Sequence, residues 1–339
     1  GHAEWDLTRY AVSLFLAADR ARCDDGGVYV DWPHERVTES PGFAAARKAA
    51  KRFFKSYRKT CKAIAERPDD CWDEAVCNFP AGHFLHPFET KAKARAVGGE
   101  DFTTKSKLAK DVDLGAPVPR LAHQPGRIDR LLGPRAGAVA EAFRPYVDDA
   151  ICDVAMRYGA GLGARNADRY YLLVGPDDVS RDGQDWRELL ELYHLVEVKE
   201  QRPPAFLPHF PDIDPANRMS VARLVIDCQR LMQRRPDRVL DHVHWNGRSW
   251  LVRTRHHSKA GVDAQELAAG DLTDNLVDHA EASARALALS HGRSDKRSRR
   301  FECHMIDRLR HDDIRRLVDS AQDYAVRVVA DWAMLRRAR

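Results

Sequence analysis

No run of 18 apolar residues occurs in the 339-residue chain, which excludes a membrane-spanning helix and leaves no membrane among the expected partners. The opening Gly1-His-Ala-Glu-Trp-Asp has neither the basic start nor the apolar run of a secretory signal. Seven cysteines, an odd number in so long a chain, make no disulfide framework and read as reduced thiols of a cytoplasmic protein. Charge of one sign is not in large excess. A net +4 and a pI near 8.6 suit a protein that handles anionic ligands without singling out nucleic acid. No Gly-x-Ser-x-Gly, His-Glu-x-x-His or Walker pattern is found, and neither repeats nor low-complexity tracts occur.

What is present, 44% hydrophobic and 31% charged residues, suffices for a large core and roughly two to three domain-sized units. Residues 4 to 22 read as an amphipathic helix with Trp5, Tyr10, Leu14 and Ala17 or Ala18 near helical spacing, broken by Gly26-Gly27 and Pro33. Residues 41 to 66 form a second helix, with proline in its first turn and a buried stripe of Phe43, Ala46, Ala50, Phe53, Phe54, Tyr57 and Cys61. Its other face carries Lys48, Lys51, Arg52, Lys55 and Arg58. A solvated face is the plain reading; a phosphate or nucleic-acid patch lacks the interleaved aromatics it would need.

Residues 67 to 136 are the least regular. Their Cys71, Cys77, His83 and His86 match no standard zinc spacing and read as loop and core residues. Residues 136 to 151 read as a helix, as do 216 to 234, with Met219, Ala222, Val225, Cys228 and Met232 on one face. Arg238 to Arg255 is a hairpin around Asn246-Gly247. Helices follow over 272 to 291 and 312 to 336, separated by a basic loop from Gly292 to Arg300. The last buries Ile314, Leu317, Ala321, Tyr324, Val328, Trp332 and Leu335. Trp245 and Trp250 read as core.

The stretch from 153 to 200 holds the chemistry. Gly159, Gly161 and Gly163 stand between the apolar Val154-Ala-Met156 and the strand-like Arg169 to Val174. Glycines there let backbone amides approach phosphate oxygens. Val196-Glu-Val-Lys199 is a further strand ending in a compact positive charge. The following helix carries Asp227, placed where a kinase-like lobe keeps the acid that fixes such a lysine; the alternative is a surface carboxylate beside Arg223 and Arg230. Glu197 departs from the kinase strand pattern, which has a small residue over the base at that place. Asp212-Ile-Asp214 with Asn217 reads as a helix start before it reads as a metal cluster, and His256-His257, Lys259 and His291 are minor candidates.

Several blocks resemble one family, the bacterial domain of unknown function 2252. Glu4-Trp-Asp-Leu-Thr-Arg9, Leu195 to Pro203, Val225-Ile-Asp-Cys-Gln-Arg-Leu-Met-Gln233, Val252 to Lys259 and Leu287 to Ser294 carry the resemblance, with Asp227 where the family usually has Glu. The resemblance implies an α+β, apparently permuted protein-kinase-like fold with a small antiparallel sheet lobe and a largely helical lobe. Residues 1–150 would be helical, 151–258 the nucleotide-binding lobe, and 259–339 helical and packed with 1–150. It implies ATP and Mg2+ as cofactors and phosphoryl transfer to a small-molecule acceptor. Gly159, Gly161 and Gly163 would then cover the phosphates, Lys199 contact them, Asp227 orient Lys199, and Arg253 line the pocket. The family's catalytic blocks, Gly-Asp-Ala-His…Asn and Asp-x-Asn-Asp-Phe-Asp, precede its Glu-Trp-Asp-Leu segment. No copy of either stands within residues 1–339. The expectation is therefore either that the blocks lie on a preceding stretch or that this member binds nucleotide without phosphorylating.

Overall fold

A computed structural model describes residues 3–21, 41–159, 167–176, 185–203 and 220–337. In chain order they form α1 (Ala3–Ala21), α2 (Pro41–Glu66), α3 (Pro68–Trp72), α4 (His86–Ala94), α5 (Phe102–Lys105), α6 (Lys107–Asp111), β1 (Ile128–Arg130) and α7 (Gly133–Phe143). Then come β2 (Ala150–Arg157), β3 (Arg169–Gly175), β4 (His194–Gln201), α8 (Val221–Met232), β5 (Leu240–Trp245) and β6 (Arg248–Thr254). Four helices end the chain: α9 (Ala264–Ala268), α10 (Leu272–Ser294), α11 (Arg300–Arg308) and α12 (His311–Arg337). The class is α+β. No described helix is long and apolar enough to cross a membrane. The chain divides into two compact units, one of Gly1–Glu89, Leu231–Arg234 and Gly261–Arg339, the other of Thr90–Arg230 and Arg235–Ala260.

The first unit is helical. The expected stripe of α2 is buried throughout, and it meets Ala280, Ala284 and Ala288 of α10, three small residues at four-residue spacing. Such a row lets one helix ridge settle closely into the next groove. In α1 the buried line is Leu7, Ala11, Leu14, Phe15 and Ala18, and Trp5 lies outside it, 47% exposed. In α12 the buried line is Ile314, Val318, Ala321, Ala325 and Val329, whereas Tyr324 and Leu335 face outward. Alanines won over the larger side chains there because a close helix contact leaves room only for small ones. The basic loop expected from Gly292 to Arg300 is shorter: α10 runs on through Ser294, and a short helix, α11, begins at Arg300. Two histidines of α10 are tied to buried tyrosines: His279 Nδ1 lies 2.8 Å from the Tyr10 hydroxyl and His291 Nδ1 lies 2.7 Å from that of Tyr57. Of the basic face of α2, Lys48 pairs with Asp274, Arg52 with Glu281, and Arg58 donates from Nε to the Ile306 carbonyl at 2.9 Å. Cys71 is buried, His83 stacks on Phe79, and His86 Nδ1 lies 2.7 Å from the Phe79 carbonyl.

The second unit is built on a six-stranded antiparallel sheet of order β1-β2-β3-β4-β6-β5. Residues 150 and 151, read as helical from the sequence, begin β2. Pro145 sits in a single 3-10 turn after α7 and stops that helix, and the apolar segment that follows pairs with β3. The Asn246-Gly247 hairpin is as expected: φ is 50° at Asn246 and 69° at Gly247, the pair of positive angles that a two-residue turn of this hand requires. One sheet face packs Tyr170, Leu172, Val174, Val196, Val198, Trp250 and Val252 against Val139 and Phe143 of α7. The opposite face packs Tyr171, Leu173 and Leu195 against Phe102, Leu108 and Trp186.

Candidate anion-binding face of the sheet

Strand register decides which charges meet. Arg169 on β3 is opposite Lys199 on β4, Tyr171 is opposite Glu197, and Glu197 is in turn opposite Arg253 on β6. Directly opposed residues share a face, and residues two apart along a strand share it too. Arg157, two beyond Ala155, which opposes Tyr171, and Arg255, two beyond Arg253, therefore join the same face. Valines 196 and 198 point to the other side, into the core. The alternation Val-Glu-Val-Lys thus puts apolar side chains under α7 and charges above the opposite surface.

Glu197 is the centre of the first charge cluster. It is 3% exposed and accepts from Arg169 Nη1 at 2.7 Å and from Arg253 Nη2 and Nε at 2.8 and 3.0 Å. Burial by itself would raise this carboxyl; the guanidiniums of Arg169 and Arg253 outweigh that and hold it below the usual range. Lys199 lies beside them, partly buried. Its ammonium is held below the ordinary lysine value by burial and then by Arg169 and Arg253, with Glu197 opposing. Among the described residues no carboxylate stands within ion-pair distance of it.

Asp111, at the end of α6, is the second centre. Its side chain is fully buried; Oδ1 accepts from Arg127 Nη2 at 2.6 Å, and Oδ2 stands 3.3 Å from Arg255 Nε. The Arg255 guanidinium lies over the Tyr171 ring, 4.9 Å from its centre. Arg157 donates from Nη1 to the Arg127 carbonyl at 3.1 Å. Lys107, on the first turn of α6, has its ammonium depressed by burial and by Arg255.

His257, just past β6, closes this side. Its carbonyl accepts the Lys107 N–H at 3.0 Å and its ring stands edge-on to Phe102. Burial, then His194 and His256, bring its pKa down to about 4 from 6.5. A histidine whose folded value is depressed takes up its proton in the unfolded chain first. Stability from this group is therefore full above pH 6.5 and is lost as pH falls toward 4. His257→Gln is expected to flatten the fall in urea midpoint between pH 7 and pH 4.5 by a measurable part. Parallel curves for variant and parent would show that His257 carries none of it.

The residues that the sequence singled out fall as follows. Lys199 and Arg253 share the charged face. Gly159 directly follows the Tyr158 that bonds the Arg127 carbonyl, and its φ of +66° is one that glycine adopts freely. Gly161, Gly163 and the Asp212–Asn217 segment lie outside the described residues. Helix α8 packs Ile226 on Leu240 and Leu251, and Leu251 is the cross-strand partner of Lys199, so α8 covers part of the same face. Asp227 on that helix accepts from Arg223 Nε at 3.1 Å, one turn away, and makes no ion pair with Lys199. Sequence reading missed Arg169, Arg157, Arg255, Asp111, Arg127 and Lys107. A usable signal was there: arginines flank the glycine turn on both sides, and Arg253-x-Arg255 repeats at strand period.

The face can do one thing plainly. Seven cationic side chains (Lys107, Arg127, Arg157, Arg169, Lys199, Arg253 and Arg255) gather with two buried carboxylates. A partly desolvated surplus of positive charge is unfavourable until an anion arrives. This donor set fits phosphate oxygens. For Mg2+ the described residues include no group of three or more His, Cys, Asp or Glu side chains placed to hold a metal.

The sequence model of a bacterial family described as "Uncharacterized protein conserved in bacteria (DUF2252)" matches residues 39–338. No curated protein and no solved structure matches the chain.

Proposed function

We propose that this chain, which belongs to the bacterial family DUF2252, is an ATP-dependent phosphotransferase of kinase-like fold that acts on a small metabolite. The observation that carries the reading is the cationic sheet face: among the described residues no carboxylate pairs with Lys199, which stands beside two guanidiniums that a buried Glu197 holds in place. β2, the glycine-bearing stretch of sequence after it, β3 and the lysine-bearing β4 follow in the order of a kinase nucleotide lobe, and α8 lies on the lysine's face. In phosphoryl transfer the protein's work is positioning and charge neutralisation. Lys199 Nζ would neutralise phosphate oxygens. Arg169 and Arg253 would present N–H donors whose direction is fixed by Glu197. Gly159 would let the turn's backbone come close. Mg2+ would arrive with the triphosphate and screen its charge. The general base and metal ligands are assigned to no residue of this chain.

Binding without transfer is the second reading, favoured by the pairing of Asp227 with Arg223, which leaves Lys199 without the acid that orients it in active kinases. Calorimetric titration with Mg-ATP and with AMP, followed by phosphate release against a panel of hydroxyl- and amine-bearing metabolites, tests both. ATP binding at least tenfold tighter than AMP is expected, because the phosphates meet the charge. Turnover then selects the transferase and its absence the silent binder. Equal affinity for ATP and AMP, or no binding of either, overturns both.

A further inference from the structure

The charged face has two centres, and the nucleotide reading uses only the one at Glu197. At the other, the donors are in surplus. Among the described residues the Nε atoms of Arg157 and Arg255 are both buried without a hydrogen-bond acceptor, and Oδ2 of Asp111 is buried without a donor, because the 3.3 Å approach of Arg255 is poorly aligned. Buried donors without acceptors are rare in folded proteins, since each forfeits its bonds to water. Arg255 stands over the Tyr171 ring, and Arg157 lies on the same sheet face, two residues beyond the Ala155 that opposes Tyr171. Asp111 is shared between Arg127 and Arg255, so one carboxylate faces two guanidiniums, and among the described residues Arg157 and Lys107 have no carboxylate within ion-pair distance. The depressed ammonium of Lys107 accords with a cation waiting in such a place.

We propose that Lys107, Arg157 and Arg255 form a second anion site, separate from the Lys199 centre, that takes a phosphate or carboxylate group of a small molecule. The site stands on its own geometry. That its occupant is the phosphoryl acceptor, making the acceptor an anionic metabolite, rests on the phosphotransferase reading above. The site would also set specificity: an uncharged sugar or alcohol would leave the partly desolvated positive charge uncompensated, a penalty larger than a missing apolar contact.

The probes are inorganic phosphate and succinate, titrated calorimetrically at constant ionic strength so that screening stays equal. Using Lys199→Ala as the parent removes from the first centre the cation that no described carboxylate pairs, leaving Arg169 and Arg253 held by Glu197. That parent is expected to bind one of the two probes, and the tighter one identifies the group. Adding Lys107→Gln or Arg157→Ala, neither of which holds Asp111, is expected to weaken that binding about tenfold each. Circular dichroism and the urea midpoint confirm that each variant is folded. Undiminished binding in both variants would overturn the site, as would no binding of either probe to the Lys199→Ala parent. If ATP does not bind but these anion titrations behave as described, the nucleotide reading fails and the second site stands.

Discussion

Glu197→Gln is expected to lower the unfolding free energy by roughly 2–4 kcal/mol, below the upper end for a broken buried ion pair because the Arg253 side chain is 43% exposed. The substitution keeps shape and volume, so no cavity term enters. It leaves Arg169, whose side chain is 14% exposed, facing Lys199 and Arg253 with no carboxylate among them. The neutral amide can still accept one hydrogen bond, which limits the loss. Urea denaturation at pH 7 measures it, and a change under about 1 kcal/mol would refute the central role given to Glu197. Acid offers an independent check. The folded carboxyl is depressed below its ordinary 4.5, so its contribution is complete above that pH and disappears as pH falls through the lower folded value. The variant should lack that portion of the acid sensitivity. Replacing Glu197 together with Arg169 by apolar residues should recover part of the loss, since a matched apolar pair avoids the buried unpaired charge.

Lys199→Ala is expected to weaken Mg-ATP binding about 10- to 100-fold, the range of one or two charge-assisted contacts in a partly desolvated site. The same change should leave the unliganded protein as stable as the parent or slightly more so. Its ammonium is desolvated and repelled by Arg169 and Arg253, and its removal relieves both. A lysine kept for structure would behave the other way, with stability lost and affinity unchanged. The pair of measurements therefore separates a binding residue from a solvated or structural one, and a Lys199→Ala protein with parental ATP affinity would sink the nucleotide role.

Local pattern made much of the fold legible. The stripe of α2, the start of α10 and the Asn246-Gly247 turn each depend on residues within a few positions of one another. Residues 67 to 136 did not yield, because their pieces run three to nine residues, too short for a period to show. The site was legible in its residue types and not in its pairings. Lys199 and Arg253 stand out in sequence. The bonds that organise them join residues 28 and 56 positions apart, Arg169 to Glu197 and Arg253 to Glu197, and exist only once the register is set. Glu197 was visible as an oddity in a kinase-like strand; its two arginines turn the oddity into an anchor. Asp227 shows the converse, since its nearest cation, Arg223, lies one helical turn away.

Among the described residues the sheet is open, with β1, bridged at Ile128 by Gln124, and β5 at its margins. An unpaired margin is a template on which another chain can polymerise. β1 is three residues long and reads Ile128-Asp-Arg130, too short and too charged to seed a neighbour. β5 carries Asp241, His242 and His244, and Arg230 from α8 caps the Leu240 carbonyl at 2.5 Å, occupying an acceptor that an incoming strand would need. Both margins are thus blunted against fibril growth. Arg230→Ala is expected to uncover the Leu240 carbonyl on this margin, and light scattering of the concentrated protein would read the effect.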